Sequence, residues 1–134
     1  MYTIKDISEK FSIPSSTIRY YEKIGLLENV KHEGGYHRVF DESHIARMSA
    51  IDCFKKAGLQ LEDIKLFFEY EKNINENSGK ILEMMKEQEK KTLEKIEELK
   101  TGLVNVERKI KYYTAVDAAI KEGKDIPNWC DIIK

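Results

Sequence analysis

Two groups of side chains have the types and spacing to do chemistry, and in both it is the recognition of phosphates and base edges. Ser15-Ser16-Thr17-Ile18-Arg19-Tyr20-Tyr21-Glu22 sets hydroxyls, a guanidinium and phenols on successive turns of one short segment. Lys31-His32-Glu33-Gly34-Gly35-Tyr36-His37-Arg38-Val39-Phe40 carries Lys31, His32, His37 and Arg38 around a Gly-Gly turn. Such donors bind phosphate oxygens, which fixes register, and base edges, which reads sequence. Catalytic constellations are missing. His32, His37 and His44 cluster near the turn, no glycine-rich phosphate loop precedes a helix, and no Ser/His/acid or paired-carboxylate arrangement stands out. No enzyme activity is expected.

The elements that must position these groups can be read from caps and spacing. Thr3-Ile4-Lys5-Asp6 is a capping box, and Ile4, Ile7 and Phe11 recur at helical spacing behind it. Ser12-Ile13-Pro14 stops that helix, because proline disfavours helical geometry at the residue before it while suiting the start of a new helix. The second helix is expected from about Ser15 to about Ile24, with Gly25 as its left-handed C-terminal residue and Leu26 and Leu27 closing the end. Two short helices joined by a tight turn make a helix-turn-helix, whose second helix enters the major groove. That assigns Ser16, Thr17, Arg19 and Tyr20 to a DNA face and Ile18 to the core. The helix pair alone would equally suit an ordinary helical hairpin. The strands expected around Gly34-Gly35 shift the balance, since a basic hairpin after a helix-turn-helix makes a winged module.

Charge does not announce a nucleic-acid partner. The 134 residues are 41% apolar and 35% charged with a formal net charge of -1, and residues 1 to 40 carry six Lys or Arg against five acids. Positive charge must therefore act by placement. No apolar run is long enough to span a bilayer, and two distant cysteines, Cys53 and Cys130, make no disulfide framework, which fits a reducing cytoplasm. Beyond the hairpin, Asp41 caps a third helix through Ile45, Met48, Ile51 and Phe54 to Gly58, and a fourth begins at Leu61. Asn73-Ile74-Asn75-Glu76-Asn77-Ser78-Gly79 reads as a polar break, giving a head over 1–72 and a hinge over 73–80. From Leu82, the positions Met85, Glu89, Thr92, Ile96, Leu99, Leu103, Val106, Ile110 and Tyr113 alternate three and four residues apart. This heptad seam predicts a dimerisation helix over 81–120, followed by a tail over 121–134. One narrow apolar stripe needs a partner, so a homodimer is expected, with an intrachain helical hairpin as the alternative.

The run Thr17-Ile18-Arg19-Tyr20-Tyr21-Glu22 followed by Gly25-Leu26-Leu27, with Arg38-Val39-Phe40 leading into Asp41, resembles the DNA-binding half of MerR-type transcription regulators over residues 1 to about 70. The resemblance implies a mainly α fold, a winged helix-turn-helix head and a long C-terminal helix that pairs as an antiparallel coiled coil. It further implies that Arg19, Tyr20 and Arg38 contact phosphates or base edges, with Ser16 and Thr17 near the groove and Tyr36 and His37 on the wing as second choices. The implied mechanism is a homodimer on double-stranded promoter DNA that bends and untwists an overlong spacer, acting on RNA polymerase indirectly through the DNA.

The resemblance also frames what is sensed. Metal-responsive relatives keep closely spaced cysteines at the end of the dimer helix, and none lies between Tyr112 and Lys124, so neither a metal nor another cofactor is expected. Cys53, before Lys55-Lys56-Ala57-Gly58-Leu59, resembles the lone cysteine of the aldehyde and thiol-stress branch, with two lysines beside it; the other reading is a small buried core residue. The chain is too short for the ligand domain of multidrug-sensing relatives, although Tyr112, Tyr113 and Trp129 could wall a small effector site in the tail. Two further readings stay open: a coiled-coil protein-interaction module, and an architectural DNA-bending protein without effector sensing.

Overall fold

A computed structural model describes residues 1–35 and 37–133. The chain divides into two compact units, 1–89 and 90–134, and the long fifth helix runs through the division. In the first unit the order is α1 (Ile4–Phe11), α2 (Ser15–Lys23), β1 (Lys31–Glu33), β2 (His37–Val39), α3 (Glu42–Lys56), α4 (Leu61–Glu71) and the start of α5 (Ile74–Lys121).

The caps act where the sequence places them. Thr3 accepts from the Asp6 amide while Asp6 accepts from the Thr3 amide, closing the box that starts α1. Pro14 flanks α2, and Gly25 ends it at φ +83°, with Leu26 N–H returning to the Tyr21 carbonyl. That left-handed turn drives Leu26 and Leu27 into the core, where they meet Ile7, Ile18, Phe40, Met48, Ile51, Leu59, Ile64 and Phe68. Each such side chain contributes roughly 1.5–3 kcal/mol by leaving water. Asp41 starts α3 by accepting from the Ser43 and His44 amides, and His44 completes the box with Nδ1 accepting from the Asp41 amide. Because Nδ1 accepts, Nε2 carries the proton and donates to the Glu28 carbonyl at 2.8 Å. His44 is thus a buried structural residue and does not belong with the histidines of the hairpin.

Two ties from α3 and α5 complete the head. Arg47 stacks on Phe68 at 3.6 Å and donates to the Leu26 carbonyl, joining α3 to α4 and to the end of α2. Met85 packs against the core and Gln88 donates to the Ala57 carbonyl, so the first turns of α5 belong to the head.

This corrects the expected hinge over 73–80. Lys72 and Asn73 form the turn, and from Ile74 the chain is helical, with the Asn73 carbonyl accepting from the amides of Glu76 and Asn77. The Asn77 side chain donates to the Tyr70 carbonyl at the end of α4. Asn, Ser and a single glycine weaken a helix by well under the cost of a proline, and packing beyond them overrides that preference. The first compact unit accordingly extends to Glu89 and does not stop at residue 72, and the long helix begins at Ile74, ahead of the expected 81.

In the second unit, α5 continues to Lys121, and Gly123 at φ +70° lets the Lys124 amide return to the Ala119 carbonyl. The short α6 (Trp129–Ile132) then folds back on α5. Tyr112 donates to the Pro127 carbonyl, its ring meets those of Trp129 and Tyr113 edge-on at 5.1 Å, and the Lys109 ammonium sits 4.7 Å above the Trp129 ring. The three aromatic rings expected to wall an effector site pack on one another. Leu99, at 73% exposure, leads a row of uncovered apolar side chains that includes Leu93, Ile96, Leu103, Val106, Ile110 and Tyr113.

Candidate nucleic-acid interface

Helix α2 displays its outer face because its inner one is fully used. Ile18 is completely buried and Tyr21 nearly so, three residues on along the same stripe. Ser16, Arg19 and Tyr20 therefore point to solvent, Tyr20 with half of its surface open, and Thr17 is half-buried at their edge. All four residues proposed for a groove-facing surface lie on one two-turn segment. Burial pushes the Tyr21 phenol up from its ordinary value, helped by the nearby Asp52 charge.

The hairpin has a register that settles which basic side chains share a face. Lys31 opposes Val39, His32 opposes Arg38 and Glu33 opposes His37, with Gly34 and Gly35 both at positive φ in the connection. Directly opposed residues project to the same face and neighbours to opposite faces. Arg38 and His32 thus project together, and His37 projects the other way. Tyr36 lies outside the described residues. At the root of the hairpin, Tyr2 and Phe40 exchange both backbone hydrogen bonds at 2.8 Å, adding one bridge of extended chain to β2, and Phe40 is buried. The Tyr2 hydroxyl also donates to Glu42.

The sequence reading missed what joins helix to hairpin. The Glu22 carboxylate accepts from Arg38 Nε at 2.8 Å on one oxygen and from His32 Nε2 at 2.9 Å on the other. The Glu22 and Arg38 side chains are 20% and 23% exposed, so the pair is shielded well beyond a surface ion pair. Burial works to raise the Glu22 carboxyl, and the hydrogen bonds and charges of Arg38 and His32 overcome it, leaving the group below the usual carboxylate range. The carboxylate and the two wing bases are ten and sixteen residues apart, which no local pattern encodes.

Cys53 is exposed on α3. Met48 and Ile51 occupy the core stripe of that helix, and a residue two beyond Ile51 falls on another face, so the buried-core reading of Cys53 does not hold. Lys56, beside it, pairs with Asp52 at 2.8 Å. Cys130 is exposed as well. Among the described residues no helix is long and apolar enough to cross a membrane.

Known proteins resemble this chain in sequence and in fold. The family model for MerR HTH family regulatory proteins matches residues 2–71, the span from the Tyr2 bridge to the end of α4. An uncharacterised HTH-type transcriptional regulator of Haemophilus influenzae is 32% identical over 87% of this chain and 87% of its own length. The HTH-type transcriptional regulator AdhR of Bacillus subtilis is 36% identical over 44% of this chain and 42% of its own. Among solved structures, HiNmlR, a MerR family regulator lacking the sensor domain and bound to promoter DNA, superposes with a TM-score of 0.76 at 32% identity, covering 92% of this chain and 91% of that one. A MerR family regulator from Bacillus thuringiensis gives a TM-score of 0.69 at 28% identity over 81% of this chain and 96% of its own. With its winged head matched by the family model and nearly its whole length by a relative, the chain belongs to the MerR HTH family of transcription regulators.

Proposed function

We propose that the chain is a cytoplasmic regulator that binds promoter DNA as a homodimer, each head presenting Ser16, Thr17, Arg19 and Tyr20 to the major groove and Arg38 to the flanking backbone, with His37 and Tyr36 as the wing's secondary contacts. The observation that carries this reading is the union of an outward-facing α2 with a basic hairpin anchored to it through Glu22. The solved regulator that most resembles it among those above was captured on promoter DNA. The apolar row on α5 gives the heads a common axis by pairing two copies, antiparallel as the family resemblance implies. Two heads on one axis distort the spacer between their half-sites, and polymerase responds to the changed DNA.

The test is an anisotropy titration of labelled duplex across a range of salt. Binding should show a steep log-log salt slope; Arg38→Ala should weaken it about equally on specific and unrelated duplex and lower the slope by about one unit per head. Arg19→Ala should also cost affinity. Undiminished binding by both variants would refute the assigned surface, and an absent salt slope would point to a protein-docking module.

For the effector, Cys53 is the assigned thiol, because it is exposed on the helix that follows the wing. Cys53→Ser should abolish a transcriptional response to electrophiles while leaving DNA affinity unchanged; a variant that still responds removes Cys53 from the mechanism.

A further inference from the structure

We propose that Glu22 is a positioning residue of the DNA interface, an acid on the recognition helix that holds Arg38 in the orientation in which it meets the phosphate backbone. This rests on the reading of Arg38 as a phosphate contact. An acid is out of place on a surface built to face phosphates, since its charge repels them. Glu22 nonetheless sits one turn beyond Arg19, and its two oxygens accept from the two wing bases that share a face. A hairpin of two three-residue strands is too short to hold its own geometry. It is fixed at its root by the Tyr2–Phe40 bridge and at mid-length by Glu22, which ties both strands to α2. The contact to Arg38 uses Nε, and a guanidinium carries two terminal NH2 groups besides, the donors suited to a phosphate. The carboxylate thereby removes rotamer freedom that an arginine would otherwise lose on binding.

The sign of one substitution separates this from plain electrostatics. Removing a negative charge near DNA should strengthen binding if Glu22 acts through charge alone, and weaken it if Glu22 positions Arg38. The full-length protein and its Glu22→Ala, Arg38→Ala and doubly substituted forms are titrated against a duplex enriched from a random pool, with circular dichroism to verify helical content. Glu22→Ala should bind about tenfold more weakly, the factor set by ordering one arginine side chain. The double variant should bind no more weakly than Arg38→Ala alone. Should Glu22→Ala not fold, Glu22→Gln carries the same cycle: it keeps an acceptor for Arg38 Nε but loses the charge, and should bind measurably more weakly than the parent. Binding by the folded Glu22 variant that equals or exceeds the parent's overturns the proposal. So does an equal loss in the Arg38→Ala background, which would mark a role in folding. If Arg38→Ala itself binds like the parent, the phosphate-contact reading falls and the proposal with it, an outcome distinct from failure of Glu22 alone.

Discussion

The Glu22 carboxylate gives the head a specific acid sensitivity. Its folded-state acidity is stronger than the ordinary value of 4.5, so its contribution to stability is complete above that value and disappears as pH falls through the lower folded one. Denaturation curves across the acid range should therefore show a shallower pH slope for Glu22→Gln than for the parent. The slope should persist in part, because Asp6 and Asp41 are also held low, by the Thr3 amide and hydroxyl and by the Ser43 hydroxyl and amide respectively. An unchanged slope would mean that the carboxylate gains nothing from Arg38 and His32. At this scale the sequence was legible wherever the cause is local. The Thr3 box, the Gly25 turn and the burial of Ile18 follow from neighbours within a turn or two. Glu22 was not legible, because its partners come from the hairpin, and Cys53 was ambiguous until the core stripe of α3 was fixed.

Among the elements, α1 and α3 announce themselves by their capping boxes, α2 by Pro14 before it and Gly25 after it, and the heptads of α5 by a repeat sustained over many turns. The exception is the start of α5. Asparagines and a glycine between Asn73 and Lys80 suggested a break, yet only Lys72 and Asn73 leave the helix. Composition gives a weak local preference, whereas Met85 and Gln88 further along dock on the head and favour a helix already in progress. Gly79 is then an ordinary interior helix position with open space where a Cβ would stand. Gly79→Ala should stabilise the protein by about 0.5–1 kcal/mol in chemical denaturation. A neutral or destabilising effect would return 73–80 to the role of a hinge. The tail was partly legible: Tyr112, Tyr113 and Trp129 were expected to lie together as walls of a site, and their packing on one another needed the turn at Gly123 to appear.

For the molecule as a whole, the near-neutral charge and the exposed seam belong to one design. A head with 13 Lys or Arg against 16 acids over residues 1–89 gains nothing from its net charge toward DNA, so it depends on placed contacts and on doubling them through a partner. The uncovered leucines, isoleucines and valine of α5 offer roughly 1.5–3 kcal/mol each to such pairing. The most direct test is to select binding sites for the full-length protein from a pool of random duplexes, in parallel with a Leu99→Asp, Leu103→Asp variant whose seam cannot close. The account predicts that the parent enriches an inverted repeat of two half-sites at a fixed separation and that the variant, monomeric in solution, enriches nothing comparable. Enrichment of no sequence, or of a single half-site recovered equally by both proteins, would contradict it.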